Sequence, residues 1–208
     1  MCRFLMMRSG GPFEAAPVLA RFRTRCEESV EFQGHGWGAA WRAAGSWSRY
    51  RSLKPIWKDS LDLPEEVDFL VLHARSAFRD RDIAIENNMP FYEDERIFVF
   101  NGELRGVRLS LPGRIGAEKV FRLVRRQETE GLPNAISEAD RLLLAKSRYV
   151  RALNLAVTDG EAIHASCRYN ESPEYFTLHY RDDEIRAVCS EPLDASWKPM
   201  ANGEQRTL

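Results

Sequence analysis

Cys2 stands one residue from the chain start and is followed by the apolar run Phe4-Leu5-Met6-Met7. Its side chain is small, so Met1 is expected to be clipped, leaving Cys2 with a thiol and a free α-amine. Reference values are about 8.5 for the thiol and roughly 7.7–8.0 for the amine, so near neutral pH the amine can accept the thiol's proton. Nucleophile and general base then come from one residue, a variant of the serine–histidine arrangement. Attack on a carbonyl also needs donors about 2.7–3.1 Å from the developing oxyanion. Asn101-Gly102, after the apolar run Ile97-Phe98-Val99-Phe100, can offer a side-chain amide and an uncovered backbone N–H. Each feature has a plainer reading: Cys2 as a small buried hydrophobe, and Asn101-Gly102 as a tight turn.

The other chemistry-bearing residues read as structural. Cys26, Cys167 and Cys189 show no CxxC pair and no metal-finger spacing. His164 and Cys167 are three apart in a strand-like segment, so they point to opposite faces and cannot chelate together. His35 reads as a turn residue, His73 as a satisfied core histidine and His179 as half exposed. The tryptophans Trp37, Trp41, Trp47 and Trp57 are unevenly spaced, which favours packing over ligand stacking. No metal and no cofactor is expected.

The elements that must position these groups alternate in period. Cys2 to Met7 reads as a strand that Ser9-Gly10-Gly11-Pro12 breaks, before a short helix burying Pro17, Val18, Leu19 and Phe22. Gly34 to Trp41 is dense in glycine, which allows close backbone approach. Ala44 to Leu63 has no period and reads as a long surface loop. Val67 to His73 is apolar on both faces, a covered strand. Arg79 to Asn88 is a polar loop, and Ile97 to Phe100 a second buried strand. Ala117 to Thr129 has helical spacing, with Val120, Phe121 and Val124 opposite Arg122, Arg125 and Arg126, and Gly131-Leu132-Pro133 ends it. A second helix is expected from about Ser137, burying Leu142, Leu143 and Tyr149. Ala152 to Thr158 and Ala162 to Arg168 form a hairpin across Asp159-Gly160, and Tyr175 to Arg181 and Ile185 to Ser190 form another. Strands, two helices, then strands give an α+β chain with largely antiparallel sheets.

At 208 residues the chain can bury a core unaided, and it is read as one domain over residues 1–208. Lys+Arg at 30 nearly cancel Asp+Glu at 31, so no field argues for nucleic acid or an anionic membrane. No run of about 18 apolar residues is present, and the N-terminal apolar run is too short for a signal peptide. A cytoplasmic, reduced protein is expected.

Several pieces, taken in order, resemble the class II glutamine amidotransferases, which are N-terminal nucleophile (Ntn) hydrolases. Met1-Cys2-Arg3 is similar to the family start and His35-Gly36-Trp37-Gly38 to its Asp-Gly-Trp-Gly turn. His73-Ala74-Arg75-Ser76-Ala77 resembles the strand end whose arginine holds the substrate carboxylate. Asn87-Asn88-Met89-Pro90-Phe91 resembles its Asn-x-x-Pro-Phe, Phe100-Asn101-Gly102-Glu103-Leu104 its oxyanion segment, and Ser190-Glu191-Pro192-Leu193 its closing stretch. The resemblance implies a four-layer αββα sandwich in which Cys2 attacks a side-chain amide and Asn101 and Gly102 stabilise the oxyanion. Arg75 would then pair with a substrate carboxylate, a task that suits guanidinium geometry. Four positions depart from the family: Phe78 stands where threonine usually helps hold that carboxylate, Gly116 where an aspartate binds the α-amine of glutamine, and His35 and Phe100 replace the turn aspartate and a frequent histidine, with an effect expected on packing. The expected substrate is a small-molecule amide, glutamine or a γ-glutamyl compound. With no synthase domain in the chain, the resemblance implies either a separate ammonia-using synthase or amidase subunit as partner or plain hydrolysis of the amide, with no nucleic acid and no membrane. The competing expectation is a non-enzymatic module that kept the fold and binds a ligand or partner.

Overall fold

A computed structural model describes residues Met1 to Leu208. The strand read from Val67 to His73 is the organising one. It runs Glu66–Ala74 (β4), and every residue from Phe69 to Ala74 is buried, because neighbours flank it on both edges and layers cover both faces. One edge pairs with Arg3–Glu14 (β1) and the other with Trp37–Ala43 (β2), both antiparallel. Ser46–Ser52 (β3) closes one side of this sheet. The far side is built by Ile185–Cys189 (β10), His179–Asp182 (β9) and Lys198–Pro199 (β11), giving the order β11-β9-β10-β1-β4-β2-β3.

A second antiparallel sheet joins Phe91–Glu93 (β5), Arg96–Arg105 (β6), Tyr149–Thr158 (β7), Ile163–Ser166 (β8) and Gln205–Thr207 (β12) in the order β12-β8-β7-β6-β5. Strand alternation sorts side chains into layers. Leu5 and Met7 of β1 pack with Leu19, Phe22 and Cys26 of the outer helix Ala15–Glu27 (α1). Phe4 and Met6 point the other way, into the core shared with the second sheet. On the far side, Phe98 of β6 stacks at 4.9 Å on Phe121 of helix Gly116–Gln127 (α2), beside helix Leu132–Lys146 (α3). Ile97, Val99 and Asn101 alternate with Phe98 and Phe100, so they face the first sheet. The order helix, sheet, sheet, helices is the expected αββα sandwich. A further turn of helix, Pro173–Phe176 (α4), lies near the start of β1.

Several local expectations are corrected. Ser9 to Pro12 does not end the first strand: β1 bulges between Arg8 and Phe13 and pairs with β4 again at Phe13. Pro17 is exposed, and α1 buries Ala15, Leu19, Phe22 and Cys26 instead. Ala44 to Leu63 contains an edge strand, β3, whose Ser and Arg residues hide any apolar alternation. α3 begins at Leu132, directly after Gly131 at φ +91°, with Pro133 in the first turn where its missing N–H costs nothing. It buries Leu143 but leaves Leu142 half-buried, and Tyr149 belongs to β7. The hairpin across Asp159-Gly160 forms as read. The second is shorter, since Tyr175 and Phe176 lie in α4.

Candidate active site

The start of β1 is fixed from several directions. Arg3 donates to the carbonyls of Ser190 at 2.9 Å and Tyr175 at 3.2 Å, and pairs with Glu191 at 2.9 Å. Phe4 N–H donates to Ser190 Oγ at 2.9 Å. The register sets Arg3 opposite Ala74, which brings Cys2 level with Arg75 at the end of β4. The Cys2 thiol is buried and donates to the Ser76 carbonyl at 3.7 Å. Burial pushes this thiol above its ordinary range, while the chain-terminal ammonium and Arg75 pull the other way.

Arg75 is 5% exposed, and its backbone is tied to the glycine turn: its N–H donates to Gly36 O at 2.9 Å, and its carbonyl accepts from His35 N–H at 3.1 Å. Its Nη1 has no hydrogen-bond partner. A buried, unpaired guanidinium edge is costly and calls for an anion. A carboxylate matches its fork geometry.

Asn101 and Gly102 are not in a turn. Both lie inside β6, in register with Asn154 and Leu153 of β7. A Cβ on Gly102 would sit 2.3 Å from Ala152 O, so the close approach of β7 requires glycine here. Asn101 and Asn154 are neighbours on one sheet face, and both are fully buried. Asn154 is satisfied, donating to Phe176 O at 2.6 Å and accepting from Arg168 N–H at 2.8 Å. Asn101 has no partner for either Nδ2 or Oδ1. Such an orphaned amide costs about 1–3 kcal/mol per group and asks for an explanation. His73 lies opposite Phe4 in the β1–β4 ladder, and its ring faces the backbone of Phe100, the neighbour of Asn101.

His73 is buried, and burial followed by the Arg75 charge pushes its pKa down to about 3, so it is neutral at pH 7. The ring is buried as expected of a core histidine and faces the Phe100 backbone, with no hydrogen bond of ordinary geometry at either nitrogen.

The segment after Arg75 is looser. His35 braces it: Nδ1 accepts from Ala77 N–H at 2.9 Å, and Nε2 lies 3.3 Å from Asp80. Burial lowers the His35 pKa, which favours the neutral ring that this accepting role requires. Arg79, Asp80 and Asp82 all have φ between 54° and 55°, a left-handed backbone that non-glycine residues rarely adopt. Phe78 is 51% exposed and stands over the Arg105 guanidinium at the end of β6. Gly116 is apart from these, at the first residue of α2, where an added Cβ would meet nothing within 4 Å.

Sequence reasoning missed the surroundings of Met1. Its amine pairs with Glu31, and its carbonyl accepts from Gln33 Nε2 at 2.6 Å and Tyr175 Oη at 2.5 Å. No spacing signal links Gln33 to Tyr175; only the fold brings them together. No group of three His, Cys, Asp or Glu residues is placed to hold a metal ion, and no helix is long and apolar enough to cross a membrane.

No protein-family model matches this sequence, and no curated protein matches it. Solved structures do. A glutamine aminotransferase class-II domain protein from Silicibacter pomeroyi aligns with TM-score 0.63 at 19% identity, covering 99% of this chain and 94% of its own. A predicted glutamine amidotransferase from Pseudomonas aeruginosa gives 0.60 at 17% identity, covering 99% and 96%. Glutamine phosphoribosylpyrophosphate amidotransferase from B. subtilis, complexed with ADP and GMP, gives 0.71 at 14% identity, over 99% of this chain and 47% of that one. The present chain thus spans about half of the B. subtilis enzyme. At these identities the likeness is one of fold: the chain shares its αββα sandwich with these glutamine amidotransferase structures.

Proposed function

We propose that this chain is a single-domain amide hydrolase of the glutamine amidotransferase type, working through Cys2 once Met1 has been removed. The orphaned amide of Asn101 carries the reading. Asn154 beside it is satisfied by protein, whereas both polar atoms of Asn101 are buried and unused on the face of β6 turned toward the sheet that carries Cys2. In the reaction, the Cys2 α-amine takes the thiol proton and the sulfur attacks the substrate's side-chain carbonyl. Asn101 Nδ2 and the Gly102 N–H receive the oxyanion. The amine then hands the proton to the leaving nitrogen, which departs as ammonia or an amine and leaves a thioester. Water, deprotonated by the same amine, attacks the thioester and frees the acid. Arg75 holds a carboxylate of the substrate through its unpartnered guanidinium edge.

The substrate is a glutamine or γ-glutamyl-type amide, and Phe78 and Gly116 tilt the choice. With no hydroxyl at 78 and no carboxylate at 116, free glutamine loses two of its holds. A bulkier, less polar amide loses less. Released ammonia could be passed to a separate synthase chain. The test compares ammonia or amine release from glutamine and a panel of γ-glutamyl amides by parent and Cys2→Ala. Turnover by the parent that the variant lacks is expected, and equal rates would overturn the proposal.

The contacts that hold Met1 favour a second reading, a binding module that keeps Met1 and never frees the amine. The mass of the native chain separates the two.

A further inference from the structure

The contacts around Met1 describe a recognition pattern. Its ammonium meets the Glu31 carboxylate, which Arg151 supports from the other side at 3.2 Å. Its carbonyl oxygen accepts two hydrogen bonds, from Gln33 Nε2 and Tyr175 Oη, which lie 3.1 Å from each other. Its side chain packs beside Ala152, Tyr175 and Phe176. Gln33 is fully buried and its Oε1 has no partner. The place opens into a cleft of about 640 Å³ whose walls include Arg3, Arg151, Glu174 and Glu191. Anion for ammonium, two donors for a carbonyl oxygen and an apolar wall for the side chain are what an α-amino acid needs.

From this geometry we infer that the place Met1 vacates is a binding site for a free α-amino acid with an unbranched apolar side chain, seated against the Cys2 amine. The inference rests on the removal of Met1 in the proposed function and adds regulation to it. The ligand's ammonium takes the place of the Met1 amine on Glu31. One carboxylate oxygen accepts in place of the Met1 carbonyl oxygen, and the carboxylate draws back from the severed Met1–Cys2 bond until its second oxygen stands at hydrogen-bond distance from the new Cys2 ammonium. That charge pairing favours a free amino acid over an aminoacyl amide. It also holds the proton on the amine that must take it from the thiol, so the bound amino acid inhibits the enzyme.

The test uses Cys2→Ala, which keeps a small second residue so that Met1 still leaves, confirmed by intact mass. Calorimetric titration with L-methionine should show binding, with L-methioninamide several-fold weaker and N-acetyl-L-methionine at least tenfold weaker. Glu31→Gln in the same background should weaken L-methionine at least tenfold, and Arg75→Met should leave it within twofold. The acetyl comparison needs no further variant, so it stands even where Glu31→Gln misfolds. Absence of binding, equal binding of the acetylated ligand, loss with Arg75→Met rather than Glu31→Gln, or full retention of Met1 would each overturn the inference. Binding without turnover by the parent removes the proposed activity and leaves this site; turnover without binding removes this site alone.

Discussion

The two sides of the site are built differently. Cys2, Asn101 and Gly102 sit on or beside paired strands, and Arg75 is pinned by two backbone hydrogen bonds to the glycine turn. Phe78 and Gly116 have no such support: one is exposed on a left-handed loop and the other borders open space. On the proposed reading, the positions that the reaction needs are held by the sheets, while Phe78 and Gly116, which would choose the substrate, lie where side chains change at little structural cost. On that reading Phe78 and Gly116 can be changed without disturbing Cys2, Arg75, Asn101 or Gly102.

The sharpest break of that comparison lies within β6 and β7. Asn101→Ala should lower kcat by about 10²–10³, the scale for one oxyanion donor, with stability unchanged or raised. Asn154→Ala should leave the Phe176 carbonyl and the Arg168 N–H unpaired and cost about 1–3 kcal/mol for each. Steady-state kinetics and denaturant melts of both variants check this; matching profiles would show that Asn101 is only structural.

Next in size is Gly116→Asp. An added Cβ there meets nothing within 4 Å, and the carboxylate should raise kcat/KM for free glutamine by roughly 30-fold, the lower end for one paired ionic contact. γ-Glutamyl amides lacking a free α-amine should not gain. A parent that already prefers glutamine, with no gain in the variant, would place the amine-binding residue elsewhere.

The rigid side also predicts a pH dependence. The folded chain holds His73 at about 3, below the ordinary value near 6.5, so the unfolded chain takes the proton first. Its contribution to stability is full above about pH 6.5 and declines as pH falls toward 3, amounting to a loss of about 2 kcal/mol at pH 5. Burial lowers His35, His164 and His179 in the same direction. Thermal melts from pH 7.5 to 5 should show a falling Tm, and His73→Leu should remove much of the slope. The smallest effect belongs to the loose side: Phe78→Ala should change stability by no more than about 0.5 kcal/mol, and a larger loss in the same melts would show that the loop is packed after all.

Much of this frame is legible in the sequence, because β4 and β6 are apolar on both faces and α2 carries its arginines opposite Val120, Phe121 and Val124. The misreadings share a cause. Gly10-Gly11 and Asn101-Gly102 have strong local turn preference, yet the first pair only bulges a strand that pairs with β4 on either side of it, and the second lies in a strand because pairing with β7 outweighs it. β3 escapes notice because an edge strand of serine and arginine buries little. In the site, residue types identify Cys2, Arg75 and Asn101. The bracing by His35 and the cradle of Glu31, Gln33 and Tyr175 depend on contacts between distant segments, which no spacing encodes.

The central claim is that Cys2 is the first residue of the working chain and its nucleophile. Intact mass spectrometry, before and after reaction with a chloroketone that carries the α-carboxylate of glutamine, tests it most directly. The account predicts a chain lacking Met1 that gains one adduct, mapped to Cys2, while the buried Cys26, Cys167 and Cys189 stay unmodified. A chain that keeps Met1, or an adduct on any other residue, would contradict it.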